Sequence, residues 1–152
     1  HALLLSYNCL MNYKTGFVLG RFQPFHRGHR YLIEKALEQC DSVIIGVGSA
    51  NVQDEKNPFN FEERKIQIVE SLKKQEYFSR INSIISLDDN PDDVVWLAEL
   101  LKKTGKINVV FGNNEWPNEI FEKAGFKVVR VPLFKRNIYE GTKIRAKLKL
   151  KK

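Results

Sequence analysis

His26 and His29, with Gly28 between them, sit in the run Gly20-Arg21-Phe22-Gln23-Pro24-Phe25-His26-Arg27-Gly28-His29. Imidazole nitrogens donate and accept hydrogen bonds, and an arginine fork fits phosphate oxygens. The run follows a short apolar stretch, Phe17-Val18-Leu19, and precedes an amphipathic helical pattern. It therefore falls where a strand hands over to a helix. A helix N-terminus carries unpaired N–H groups and a partial positive charge, which makes it an anion site. Gly20 lets a ligand approach the backbone, and Gly28 lets it approach the helix start. Arg21 adds a fixed cation. The residues describe a nucleotide phosphate site with imidazoles as donors, and an imidazole beside phosphate can be held protonated.

Such a site needs a scaffold, and the rest of the chain spells one. Short β-rich runs at residues 16–21, 42–48, 80–87, 107–111 and 127–131 alternate with helical patterns at 28–39, 61–75, 91–103, 117–124 and 142–150. Mostly apolar strands alternating with helices predict a parallel sheet covered on both faces. Right-handed crossovers make it an α/β doubly wound sheet of about five strands. Its ligand belongs beyond the C-terminal strand ends, at the topological switch point. The 20–29 segment, Gly48-Ser49 and Gly112-Asn113 all follow strands and are expected at that edge.

The chain has 152 residues, 43% of them hydrophobic, enough for one domain with a real core. Residues 1–12 are expected to be an extension, with Met11 as a natural start; residues 13–152 are expected to form the single domain. No apolar run reaches the length of a membrane span, and the leader lacks the basic region of a signal peptide. Cys9 and Cys40 form neither a metal spacing nor a disulfide framework, so a cytoplasmic location is expected. A net charge of +7 suits polyanionic small substrates as well as nucleic acid. Much of the excess lies in Lys143, Arg145, Lys147, Lys149, Lys151 and Lys152, which also reads as a solvated helix face.

The string GRFQPFHRGH resembles the H-x-G-H nucleotidylyltransferase superfamily, and within it the archaeal type of nicotinamide mononucleotide (NMN) adenylyltransferase. Further blocks occur in that family's order: Gly46-Val47-Gly48-Ser49-Ala50, Asn57-Pro58-Phe59 with Glu63-Arg64, Phe111-Gly112-Asn113, and Tyr139-Glu140-Gly141-Thr142-Lys143-Ile144-Arg145. The resemblance spans about Thr15 to Arg145. It implies a Rossmann-like fold and transfer of AMP from ATP to NMN, giving NAD and pyrophosphate. Magnesium would travel on the ATP phosphates, without a protein metal site. Other members suggest a homo-oligomer.

In that reading His26, His29, Arg21 and Arg145 carry the chemistry. The acceptor phosphate is already ionised, so in-line attack requires neither a protein nucleophile nor a general base. The ATP side comprises Gly20, Arg21, Phe22, His26, Gly28, His29, Gly112, Asn113, Arg136, Tyr139, Gly141, Thr142 and Arg145. Gly141-Thr142 would open the last helix toward the β- and γ-phosphates, with Arg145 one turn in. The NMN side comprises Gly48, Ser49, Asn57, Arg64, Asp89 and Trp96. The family places an aspartate and, seven residues on, a tryptophan near the nicotinamide, and Asp89 and Trp96 keep that spacing. An indole stacks favourably on a cationic pyridinium.

Several of these residues read two ways. Phe22 and Phe25 either wall the cleft or pack the core. Trp96 is either the stacking platform or a core anchor with Val95, Leu97 and Leu100. Asn57 orients a ribose or simply starts a turn. Arg64 reaches the acceptor phosphate or covers an exposed helix face. Glu140, Asp93 and Trp116 depart from the family pattern; Glu140 could repel phosphate and Trp116 could reshape the pocket mouth. Two rival functions remain: the same chemistry on another phosphorylated cofactor precursor, and a basic nucleic-acid-binding module. No aromatic-basic interleaving marks a nucleic-acid stacking platform, so small molecules rather than nucleic acid or membrane are the expected partners.

Overall fold

In a computed structural model, residues 13–132, together with 144, 145 and 148, are described. They contain five strands: β1 (Tyr13–Gly20), β2 (Cys40–Val47), β3 (Ile81–Ser86), β4 (Val109–Gly112) and β5 (Val128–Arg130). Four helices alternate with them: α1 (Arg27–Leu37), α2 (Phe61–Leu72), α3 (Asp93–Thr104) and α4 (Glu115–Lys123). The strands form one parallel sheet in the order β3-β2-β1-β4-β5. This is the expected Rossmann-like, doubly wound arrangement. The chain steps outward from β1 to β3, then crosses back to β4 on the other side of β1. The switch point therefore lies between β1 and β4, at the end of the strand that carries the histidines.

The two-residue strand period assigns the side chains to two cores. Val18 and Ile45 face the side covered by α1 and α2, with Leu32, Ile33, Ile68 and Leu72. Phe17 and Ile44 face the side covered by α3 and α4, with Trp96, Leu100, Val110 and Phe121. Gly46 lets β2 pass close to Phe17: a Cβ there would stand 2.4 Å from the ring.

Each helix starts on a side-chain cap. Asn60 and Glu63 close a reciprocal capping box on α2, Asp92 accepts from Val94 and Val95, and Asn114 accepts from Trp116. The expected elements all recur within the described residues, with ends shifted by up to three residues. The region predicted to run as helix to residue 75 stops at Leu72, and a short 3₁₀ turn, Glu76–Arg80, follows. Of the predicted helix over 142–150, only 144, 145 and 148 fall among the described residues, and they are helical. No helix among the described residues is long and apolar enough to cross a membrane.

Candidate active site

The C-terminal ends of β1 to β4 surround a cleft of about 630 Å³. Its β1 wall is made by Gly20, Arg21, Phe22, Gln23, His26 and His29. Gly48, Ser49 and Asp89 follow the ends of β2 and β3, and Trp96, Asn113, Trp116 and Arg145 also line the cleft.

The histidines owe their orientation to the helix they begin. His26 is the N-cap of α1, and its Nδ1 accepts the Gly28 N–H at 3.0 Å. The His26 N–H in turn donates to His29 Nδ1 at 3.2 Å. Two imidazoles thus take the parts that a serine and a glutamate usually play in a capping box. Because each Nδ1 is an acceptor, each neutral ring must carry its proton on Nε2. Phe22 packs edge-on against His29 at 4.7 Å between centroids, and Phe25 stacks on it at 5.7 Å. Burial lowers the His26 pKa to about 4; burial and the neighbouring His26 push His29 well below the ordinary histidine value. In the ligand-free protein both imidazoles are therefore neutral near pH 7. A proton on Nδ1 would abolish the cap, so these are neutral Nε2–H donors.

The strand-to-helix turn is built tightly. Phe22 has φ 53° and is fully buried, so it packs the core directly behind the β1 wall of the cleft. A Cβ on Gly20 would meet the Phe22 ring at 2.9 Å. Gly20 is therefore required by this packing, whatever ligand approaches it. Buried Gln23 exchanges two bonds with the backbone of Phe59, at 2.9 and 3.0 Å, and Gln67 accepts from the Phe25 N–H. Nothing in the local pattern marks these glutamines, because their partners are backbone groups distant in sequence.

Positive charge converges here. Arg145 donates to the Gln23 carbonyl at 2.5 Å, which places it beside Arg21 in the cleft. Burial first, and then the Arg21 charge, hold both Arg145 and Arg64 below the ordinary arginine range, while Asp54 partly offsets this at Arg145. Like charges gathered with few acids between them favour a polyanionic ligand.

On the other side, Ser49 Oγ donates to Asp89 at 2.8 Å, and Asn51 exchanges two bonds with the Asp89 backbone. These bonds tie the β2 and β3 loops together. Trp96 is 6% exposed. It packs edge-on against Phe121 as a core anchor and also lines the cleft. Val95, an expected core neighbour, is exposed instead. Trp116 is 54% exposed, and its ring lies 6.2 Å from that of Trp96.

Four predicted site residues do not line the cleft. Asn57 is buried; it accepts from Arg21 at 3.4 Å and donates to Asp54. It buttresses Arg21. Gly112 faces Asn118, whose Oδ1 fills the space a Cβ would need. Gly28 is buried and contributes its N–H to the cap. Arg64 is fully buried under the loops and is neither exposed on a helix face nor at the cleft surface. Arg136, Tyr139, Gly141 and Thr142 lie outside the described residues.

The cytidylyltransferase-like family model matches residues 17–147. A nicotinamide-nucleotide adenylyltransferase of Archaeoglobus fulgidus is 36% identical over 87% of this chain and 78% of its own. One from Thermoplasma acidophilum is 33% identical over 89% and 75%. The chain belongs to this family, in its nicotinamide-nucleotide adenylyltransferase branch. A solved structure adds a neighbour for this cytidylyltransferase-like domain. It is a bifunctional NMN adenylyltransferase/ADP ribose pyrophosphatase from Francisella tularensis, complexed with AMP and a manganese ion. It is 30% identical, with a TM-score of 0.73, and the match covers 89% of this chain but only 41% of that one.

Proposed function

We propose that this protein is a nicotinamide-nucleotide adenylyltransferase, acting as a single nucleotidylyltransferase domain. An oxygen of the NMN phosphate attacks the α-phosphorus of ATP. The bond from that phosphorus to the bridging oxygen breaks, and pyrophosphate leaves as NAD forms. The observation that carries this reading is the composition of the two sides of one cleft. An imidazole-capped helix start with Arg21 and Arg145 meets Asp89 and Trp96 across the same opening.

His26 and His29 present Nε2–H donors to the oxygens on which negative charge builds. Arg21 and Arg145 hold the triphosphate and the departing pyrophosphate. Trp96 offers the pyridinium a π face, and Asp89 accepts from the amide. Magnesium enters as part of the ATP substrate, where it reduces repulsion between the two phosphates. The Francisella protein was complexed with AMP and a manganese ion, which supports divalent-ion use.

The test is an acceptor screen with ATP and magnesium, detecting pyrophosphate and the dinucleotide by chromatography. NMN or its deaminated form is expected to give product. Turnover with another phosphorylated precursor alone would replace the acceptor and keep the chemistry.

A further inference from the structure

Arg64 is fully buried, and no carboxylate pairs with it or offsets its charge among the described residues. Its guanidinium is spent on backbone carbonyls instead. Nη1 donates to the carbonyl of Arg21 at 2.8 Å and to that of Gly48 at 2.7 Å. Nη2 reaches the Ser49 carbonyl at 3.5 Å, and Nε donates to Asn60 at 3.2 Å.

The choice of carbonyls is informative. Those of Arg21 and Gly48 belong to the peptides leading into Phe22 and Ser49. Phe22 and Ser49, with φ 53° and 52°, are the two non-glycine residues of positive φ among the described residues. Left-handed backbone is unfavourable for a residue with a Cβ, and it persists only where the surroundings over-determine it. One nitrogen of Arg64 holds both peptides at once. Those turns carry Arg21 on one wall of the cleft and Ser49 on the other.

We propose that Arg64 is a positioning residue for adenylyl transfer, a buried clamp that keeps both left-handed turns in shape and so fixes the Arg21 wall against the Ser49 wall. A planar fork can serve divergent carbonyls from a fixed position; an ammonium on a flexible stem cannot hold the same angles. Loss of the clamp lets the walls drift without removing a substrate contact. Misplacement on the order of 1 Å is enough to cost about 10²-fold in rate.

The inference rests on the adenylyltransferase reading, so the experiment has one arm that needs turnover and one that does not. In the first, Arg64→Lys is expected to lower kcat by about 10²-fold while KM for ATP and for NMN each stay within about threefold. The second is a stability cycle with Ser49→Gly. Glycine adopts the left-handed turn unaided. Arg64→Lys is expected to lower Tm by about 5–10 °C alone, and by less than half of that in the Ser49→Gly background. Equal Tm losses in both backgrounds, or a folded Arg64→Lys enzyme with kcat within threefold of the parent, would overturn the proposal. If Arg64→Lys does not fold, the pair with Ser49→Gly must regain folding; an unfolded pair also overturns it. Absence of turnover in the parent protein counts against the acceptor assignment alone, since the Tm cycle is independent of it.

Discussion

His26 donates its backbone N–H to Nδ1 of His29 at 3.2 Å, and the two rings stack with centroids 3.7 Å apart. Helix capping uses the Nδ1 edges of these imidazoles and leaves their Nε2–H edges for the proposed catalytic role. The arrangement sets a pH dependence. An unfolded histidine titrates near ~6.5, whereas folded His26 titrates at about 4 and His29 well below its ordinary value. Below about pH 6.5 the unfolded chain therefore binds more protons than the native one. The stability the neutral rings contribute is complete above that pH and declines as pH falls toward 4. Urea midpoints of the ligand-free protein from pH 8 to 4.5 are expected to follow this course. His26→Asn keeps a good cap that does not titrate, and it should reduce the dependence to the part that His29 carries. A flat parent profile between pH 7.5 and 5 would contradict the neutral-cap account.

On the proposed mechanism, His29→Ala removes a donor from the reaction centre. The expected loss is about 10²–10³ in kcat, with a smaller change in ATP affinity because Arg21 and Arg145 remain. Single-turnover measurements on folded protein are the check. A value within threefold of the parent would remove His29 from the transition state.

Trp96 and Trp116 separate packing from recognition. Trp96→Ala is expected to cost about 3–5 kcal/mol of stability, since the indole closes the core against Phe121, and to weaken NMN binding as well. Trp96→Phe should recover part of both. Trp116 is largely exposed, so Trp116→Ala should leave stability within about 0.5 kcal/mol. If its ring borders the acceptor, KM for NMN should rise about fivefold or more, the low end of aromatic stacking, with KM for ATP unchanged. An unaltered NMN KM would exclude Trp116 from that pocket.

Gly46→Ala tests the sheet rather than the site. The added methyl would press on the Phe17 ring, and overpacking of this kind costs about 1–3 kcal/mol. Calorimetry should show the lower Tm, with kcat at 20 °C nearly unchanged. Equal stability would show that the two cores flex more freely than their packing suggests.

The alternation of strands and helices was legible because apolar periodicity and caps are local signals. The same holds for the histidine motif, whose spacing places both rings on one helix start. The roles of Gln23, Asn57 and Arg64 were not legible. Each is a buried polar side chain whose partners lie across the sheet end, and whose exposure depends on how loops 21–25 and 48–60 stack. Arg64 shows the difficulty most sharply: its helical position reads as surface, yet the fold wraps it in carbonyls. The capping bonds of the two imidazoles were not legible either: a histidine at a helix start does not announce that its Nδ1 accepts from the backbone.

The strand order gives the molecule a division of labour. Arg21, His26 and His29 follow the central strand β1, while Ser49, Asp89, Asn113 and Trp116 belong to connections that follow β2, β3 and β4. On the proposed reading, exchanges around Ser49, Asp89 and Trp116 change the acceptor side without moving the imidazoles, which are anchored by their own helix. Redesign of this scaffold toward a new acceptor is therefore best begun after β3 and β4, leaving the segment between Gly20 and His29 untouched.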